Sequence, residues 1–76
     1  MDASQIGDEI RAQRARLNLT QHDVAELAGV GRRAVVELES AMGNRGSSLR
    51  TVSAVCSVLG LELAVRRSTP TAASQP

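Results

Sequence analysis

The run from Leu19 to Glu39 constrains this chain more than any other stretch, because it encodes two short helices with almost nothing between them. Thr20 is placed to N-cap the first, with Asp23 at the third helical position, a capping-box spacing in which each side chain accepts the other residue's backbone N–H. Val24, Leu27 and Ala28 fall on one face at helical spacing. Gly29 follows the last periodic residue, where leaving a helix calls for a left-handed backbone that glycine adopts without a Cβ clash. Val30 is an apolar plug in the turn, and Gly31 opens the second helix as a weak N-cap. Val35 and Leu38 give that helix its inward face, and Ala25 supplies the small side chain that a close crossing of helices requires. Such a turn sets the helices about 90–120° apart. The second helix therefore protrudes, with Arg32, Arg33, Val36 and Glu37 near its exposed start. A helix N-terminus carrying two arginines suits the major groove of DNA, since the positive end of its dipole faces phosphate and Arg matches guanine bidentately.

Composition narrows the class. The chain has 76 residues and no Phe, Tyr or Trp, so it is one small domain with an aliphatic core. Cores of this size supply about 3–5 kcal/mol, and self-association is a ready source of more. A net charge of +1 excludes a polycationic binder. All nine basic residues are arginine, which suits phosphate and guanine better than lysine does. The nucleotide composition of the source genome accounts equally well for the missing lysines, although not for where the arginines sit. The one cysteine, Cys56, excludes an internal disulfide and lies in an apolar helical pattern, so it reads as a buried thiol. His22 reads as an exposed helix residue, and no second Cys or His completes a metal set. There is no His-Glu-x-x-His, Gly-x-Ser-x-Gly or P-loop, and the carboxylate pairs Asp8-Glu9 and Glu37/Glu39 lack a pocket-forming framework. The expectation is a non-enzymatic protein without metal or cofactor. With no 18-residue apolar run and no signal pattern at the start, a soluble, cytoplasmic chain with no membrane association is expected.

Outside the central run, residues 1–4 read as a loose start, with Ser4 as N-cap of a first helix ending near Leu17. Ile6, Ile10 and Leu17 share a face of it, Arg11, Gln13 and Arg16 point elsewhere, Gly7 weakens its first turn, and Asn18 stops it. Residues 41–47 read as a loop, whose Arg45 is either a DNA-backbone contact or a solvated charge. Ser47 or Ser48 caps a helix over residues 49–59 with Leu49, Val52, Val55, Cys56 and Leu59 on its apolar face, stopped by Gly60. Leu61, Leu63 and Val65 then alternate with Glu62, Ala64 and Arg66, the period of a strand. A lone strand leaves its backbone groups unpaired, and pairing with the same strand of a second copy about a two-fold axis answers this. An extra helical turn or a frayed tail is the other reading. Residues 68–76 lack large apolar side chains and read as a disordered tail.

Leu19-Thr20-Gln21, Val24-Ala25, Ala28-Gly29-Val30, Val35 and Leu38-Glu39 together resemble the lambda-repressor/Cro-like (XRE) helix-turn-helix family, over about residues 5–60. More finely, Leu59-Gly60-Leu61-Glu62-Leu63 resembles the "L-G-L-E-L" strand of HipB-type antitoxin regulators. The resemblance implies an all-α, four- to five-helix domain, with a strand over residues 61–67 forming an intersubunit sheet in a homodimer. It implies binding to double-stranded DNA at a palindromic operator, repression of the chain's own operon and neutralisation of a HipA-like kinase toxin. A repressor without a toxin partner, or a helical interaction module that no longer binds DNA, are the alternatives. By the same resemblance Gln21 contacts phosphate, Arg32, Arg33 and Glu37 work at base edges, and Arg14 and Glu39 form an ion pair inside the domain. Glu37 is read either as a base contact or as the i, i+4 partner that aims Arg33. Where the family often has Ser or Thr this chain has Gly31, so one phosphate-contacting hydroxyl is missing.

Overall fold

Three of the four α-helices among the described residues end in the same way, and that shared ending shapes the domain. In the computed structural model, which describes residues 3–40 and 47–74, the chain runs α1 (Ala3–Arg16), α2 (Gln21–Ala28), α3 (Arg32–Glu39) and α4 (Leu49–Val58), followed by a 3₁₀ turn at Thr71–Ser74. Positive φ occurs, among the described residues, at Asn18 (58°), Gly29 (70°) and Gly60 (71°), each just past the end of a helix. At each site the next residue's N–H reaches back to the fifth carbonyl before it: Leu19 to Arg14 (3.1 Å), Val30 to Ala25 (3.0 Å) and Leu61 to Cys56 (2.8 Å). These are Schellman turns, which satisfy carbonyls left over at a helix end and turn the following apolar residue inward. Leu19, Val30 and Leu61 accordingly pack, half-buried, against the core.

The starts of α2 and α4 follow equally local rules. Thr20 Oγ1 accepts from the Asp23 N–H (3.0 Å) and Asp23 Oδ2 from the Thr20 N–H (2.9 Å), completing the capping box. Ser48 Oγ accepts from the Thr51 N–H at 3.2 Å. Gly31 caps α3 with no side-chain bond. The first helix begins at Ala3, so Ser4 lies within it rather than ahead of it.

Ile10, Val24, Ala25, Val35, Leu38, Val55, Cys56 and Leu59 form the core, drawn from all four helices. Burial pushes the Cys56 thiol up from its ordinary value, so it stays protonated. Three residues expected inside are exposed. Leu27 is 66% exposed. At about 100° per residue it stands off the centre of the face formed by Val24, Ala25 and Ala28. Leu49, 76% exposed, occupies the first position of α4, a turn ahead of Val52. Leu17, 46% exposed, falls past the end of α1, where the chain bends away at Asn18. Gln13 was expected to point elsewhere but is half-buried and donates Nε2 to the Leu59 carbonyl (2.9 Å), tying α1 to the end of α4.

Gly7 is a contact point rather than a weak spot. A Cβ there would lie 2.7 Å from the Leu38 carbonyl oxygen and 3.2 Å from that of Glu39. Backbone oxygens cannot rotate away, so any side chain forces α1 and α3 apart. Gly7→Ala gains helix propensity but overpacks this crossing, and a net loss of about 1–2 kcal/mol is expected. Urea denaturation checks this, and an unchanged or raised midpoint would mean that the two helices separate freely.

Residues 61–70 form no regular hydrogen-bonded element within the chain, and from Glu62 onward they are exposed. The molecule measures 48 Å along its longest axis and has a radius of gyration of 13.8 Å. A compact chain of this length would have about 11 Å.

Candidate nucleic-acid interface

Helix α3 owes its stance to Val35 and Leu38, both fully buried, which hold one side of it in the core. The opposite side carries Arg32, Arg33 and Val36 into solvent, with Glu37 half-buried beside them. The Arg33 side chain is 91% exposed, and its Nε lies 3.2 Å from Glu37 Oε1 across one helical turn. This contact uses one edge of the guanidinium and leaves the terminal nitrogens free to meet the two acceptors of a guanine.

The start of α2 comes up beside the start of α3. Together they form a shallow concavity of about 660 Å³ lined by Arg14, Leu19, Thr20, Gln21, His22 and Arg32. Backbone N–H groups at the first turn of α2 and the Arg32 cation give it an anion-attracting character. His22 pairs instead along its own helix, with Nε2 3.1 Å from Glu26 Oε1.

Behind the concavity lies a buried anchor. Glu39, 4% exposed, is the one buried charged residue among those described. Arg14 donates Nε to its Oε2 (2.6 Å) and Nη2 to its Oε1 (3.0 Å), while Nη1 donates to the Leu19 carbonyl (3.0 Å). One guanidinium thus joins α1, the turn after it and the end of α3. Two further groups reach Glu39. Gln21 Nε2 donates to Oε1 at 3.4 Å, and Arg11 places Nε 3.5 Å from Oε1 while donating Nη2 to the Glu39 carbonyl at 3.3 Å. Arg14 is therefore committed to the frame. The Gln21 amide retains a second N–H that can turn to an anion in the concavity. Arg11, expected to point away from the inward face of α1, keeps its side chain 62% exposed yet reaches this cluster. It lies three residues from Arg14 on the same face of α1, the spacing by which sequence could have found it. Arg16 stays at the surface against Gln13 Oε1 (2.7 Å), and Arg45 lies outside the described residues.

Burial alone would push the Glu39 carboxyl up. Hydrogen bonds and charge from Arg14, the Gln21 amide and the Arg11 charge outweigh it and hold the group below its ordinary value of 4.5. The Arg14 guanidinium is pushed up, chiefly by its bond to Glu39. Asp23 is held below its ordinary 3.8 by the Thr20 backbone N–H and hydroxyl. A carboxylate that binds its proton more weakly when folded adds stability that is complete above its unfolded pKa and is lost as pH falls through the folded one. Urea midpoints are therefore expected to hold from neutrality down to about pH 5 and to drop below pH 4.5. The gap between the parent chain and Glu39→Gln should close over the same interval, and a gap that persists at pH 2 would place the loss elsewhere than in the charge.

Among the described residues no group of three His, Cys, Asp or Glu is placed to hold a metal ion, and no helix is long and apolar enough to cross a membrane. A family model described as helix-turn-helix matches residues 10–65, more than half of the chain. No curated protein matches the chain.

Proposed function

This chain belongs to the helix-turn-helix family of DNA-binding transcription regulators, and from that premise we propose that it is a sequence-specific repressor acting as a homodimer on a palindromic operator. The observation that carries this is the stance of α3, rooted in the core by Val35 and Leu38 and exposed at Arg32 and Arg33. Beside it lies the cation-lined concavity at the start of α2. Phosphate on that concavity would set the orientation of α3 in the major groove, and Arg32 and Arg33 would then choose the bases. Glu37 acts chiefly by holding Arg33 in aim, a reading supported by their 3.2 Å contact. Val36 is placed to touch a thymine methyl, and Arg45 would add a backbone contact from the loop. A dimer paired through Leu61, Leu63 and Val65 would set two such helices about 34–36 Å apart, one turn of duplex.

Arg32→Ala is expected to lose about 1–3 kcal/mol of discrimination at one base position of the operator. Fluorescence anisotropy against single-base operator variants reads this, and an equal loss on every sequence would make Arg32 a phosphate contact. Binding to the DNA upstream of its own gene, falling steeply with salt, tests the repressor role itself. Absence of any shift there would favour a protein-interaction module.

More finely, the chain would be the antitoxin of a two-gene operon whose other product is a HipA-like kinase toxin. The run Leu59-Gly60-Leu61-Glu62-Leu63 supports this. Co-purification with a kinase-like product of the adjacent gene tests it. A neighbourhood without such a gene would leave a repressor with no toxin partner.

A further inference from the structure

His22 is the chain's one histidine, and it lines the concavity at the start of α2. Four backbone N–H groups at a helix start have no partner in the helical ladder. Here the capping box takes those of Thr20 and Asp23. The other two belong to Gln21 and His22, and both residues line the concavity. The His22 side chain is exposed and sets Nε2 3.1 Å from Glu26 Oε1. The imidazole therefore stands between a carboxylate one turn along α2 and the place where a phosphate would meet the helix end.

The charges around it set the sign of the coupling. Arg14 from α1 and Arg32 from α3 line the same concavity. Arg14 is neutralised by Glu39, which it holds at 2.6 Å, so Arg32 is the cation that opposes a charge on the imidazole. On its own helix Asp23 is committed to the Thr20 cap, while Glu26 favours the charge. A phosphate seated among these groups offsets Arg32 and sets a second anion beside His22, and a nearby anion favours the charged form. A charged imidazole donates from both ring nitrogens, so Nε2 can keep Glu26 while Nδ1 donates to phosphate. A neutral one has a single N–H and turns a lone pair toward one of the two anions. We propose, resting on the reading that this concavity receives DNA, that binding takes up a proton from solvent at His22, whose imidazolium then bridges Glu26 and a backbone phosphate.

Binding therefore strengthens as pH falls through the range in which an imidazole gains its charge. Burial keeps the Cys56 thiol protonated, and Glu39 and Asp23 are held below their ordinary values, so none of these changes charge in that range. Fluorescence anisotropy of the full chain on the DNA upstream of its own gene, at constant salt, reads the effect. From about pH 8 to about pH 5.5 affinity is expected to rise about threefold for each chain bound, and so about tenfold for a dimer. His22→Gln keeps a hydrogen-bonding side chain without a titrating group and should bind equally at both values. His22→Arg is charged throughout and should also bind equally at both, with a salt slope about one unit steeper per chain than that of His22→Gln. Neither change touches the core, since His22 is exposed. A pH dependence that survives His22→Gln would place the proton on another group and overturn the proposal, as would a parent chain that binds equally at both values. A parent chain that fails to bind this DNA at either value would remove the DNA reading, and the proposal with it.

Discussion

Arg14→Ala is expected to leave the chain largely unfolded at 25 °C. The substitution removes the bidentate partner of a carboxylate whose side chain is only 2% exposed. Breaking one side of such a buried pair costs about 3–5 kcal/mol, because the remaining charge stays desolvated. That equals the whole stability expected of a core this small. Arg11 and Gln21 cannot replace it, since their contacts to Glu39 are 3.5 Å and 3.4 Å against 2.6 Å for Arg14. Arg14→Lys keeps the charge but loses the fork and the bond to the Leu19 carbonyl, so it should fall between the two. Replacing both partners with apolar residues of similar size, Arg14→Met with Glu39→Leu, should restore most of the loss. Thermal melts followed by circular dichroism decide this, and a melting temperature unmoved by Arg14→Ala would mean that the pair contributes nothing.

Leu63→Asp should leave the fold intact and abolish the proposed dimer. Leu63 is already 43% exposed and belongs to no helix, so the single chain gives up little. In the paired state two aspartates would be brought into one apolar seam, desolvated and of like charge. Operator affinity is then expected to drop by about 10²–10⁴, because two half-sites bound together gain that much over one bound alone. Sedimentation should show a monomer and circular dichroism an unchanged helical content. A dimer that survives Leu63→Asp would move the subunit contact to another surface.

What sequence made legible is local. Thr20 with Asp23, Gly29, Ser48, Gly60 and Asn18 each act on the turn they sit in, and their chemistry does not depend on distant parts of the chain. The inward stance of Val35 and Leu38 was equally readable, since a helix with so narrow an apolar face has one way to bury it. What escaped depends on which helix lies opposite. Gly7 looks like a flaw in α1 until the carbonyls of Leu38 and Glu39 arrive against it. Leu27 and Leu49 carry the right character, but one stands off the inward face of its helix and the other opens α4, and both stay exposed. Gln13 turns inward because the end of α4 offers it a carbonyl, which periodicity in α1 alone could not indicate. The alternation over residues 61–65 is real, yet a strand exists only when another backbone pairs with it, and none does among the described residues.

The left-handed bends at Gly29 and Gly60 stand in open space, with no atom within 4 Å of where a Cβ would sit. Chirality of the backbone, and not crowding, sets the choice of residue there. Glycine meets that demand without strain, and asparagine at Asn18 is the side chain that tolerates it best, whereas the position immediately after each bend must remain greasy. A divergent sequence could keep this domain's shape on little more than that beat, a residue at ease in a left-handed bend followed by an anchor.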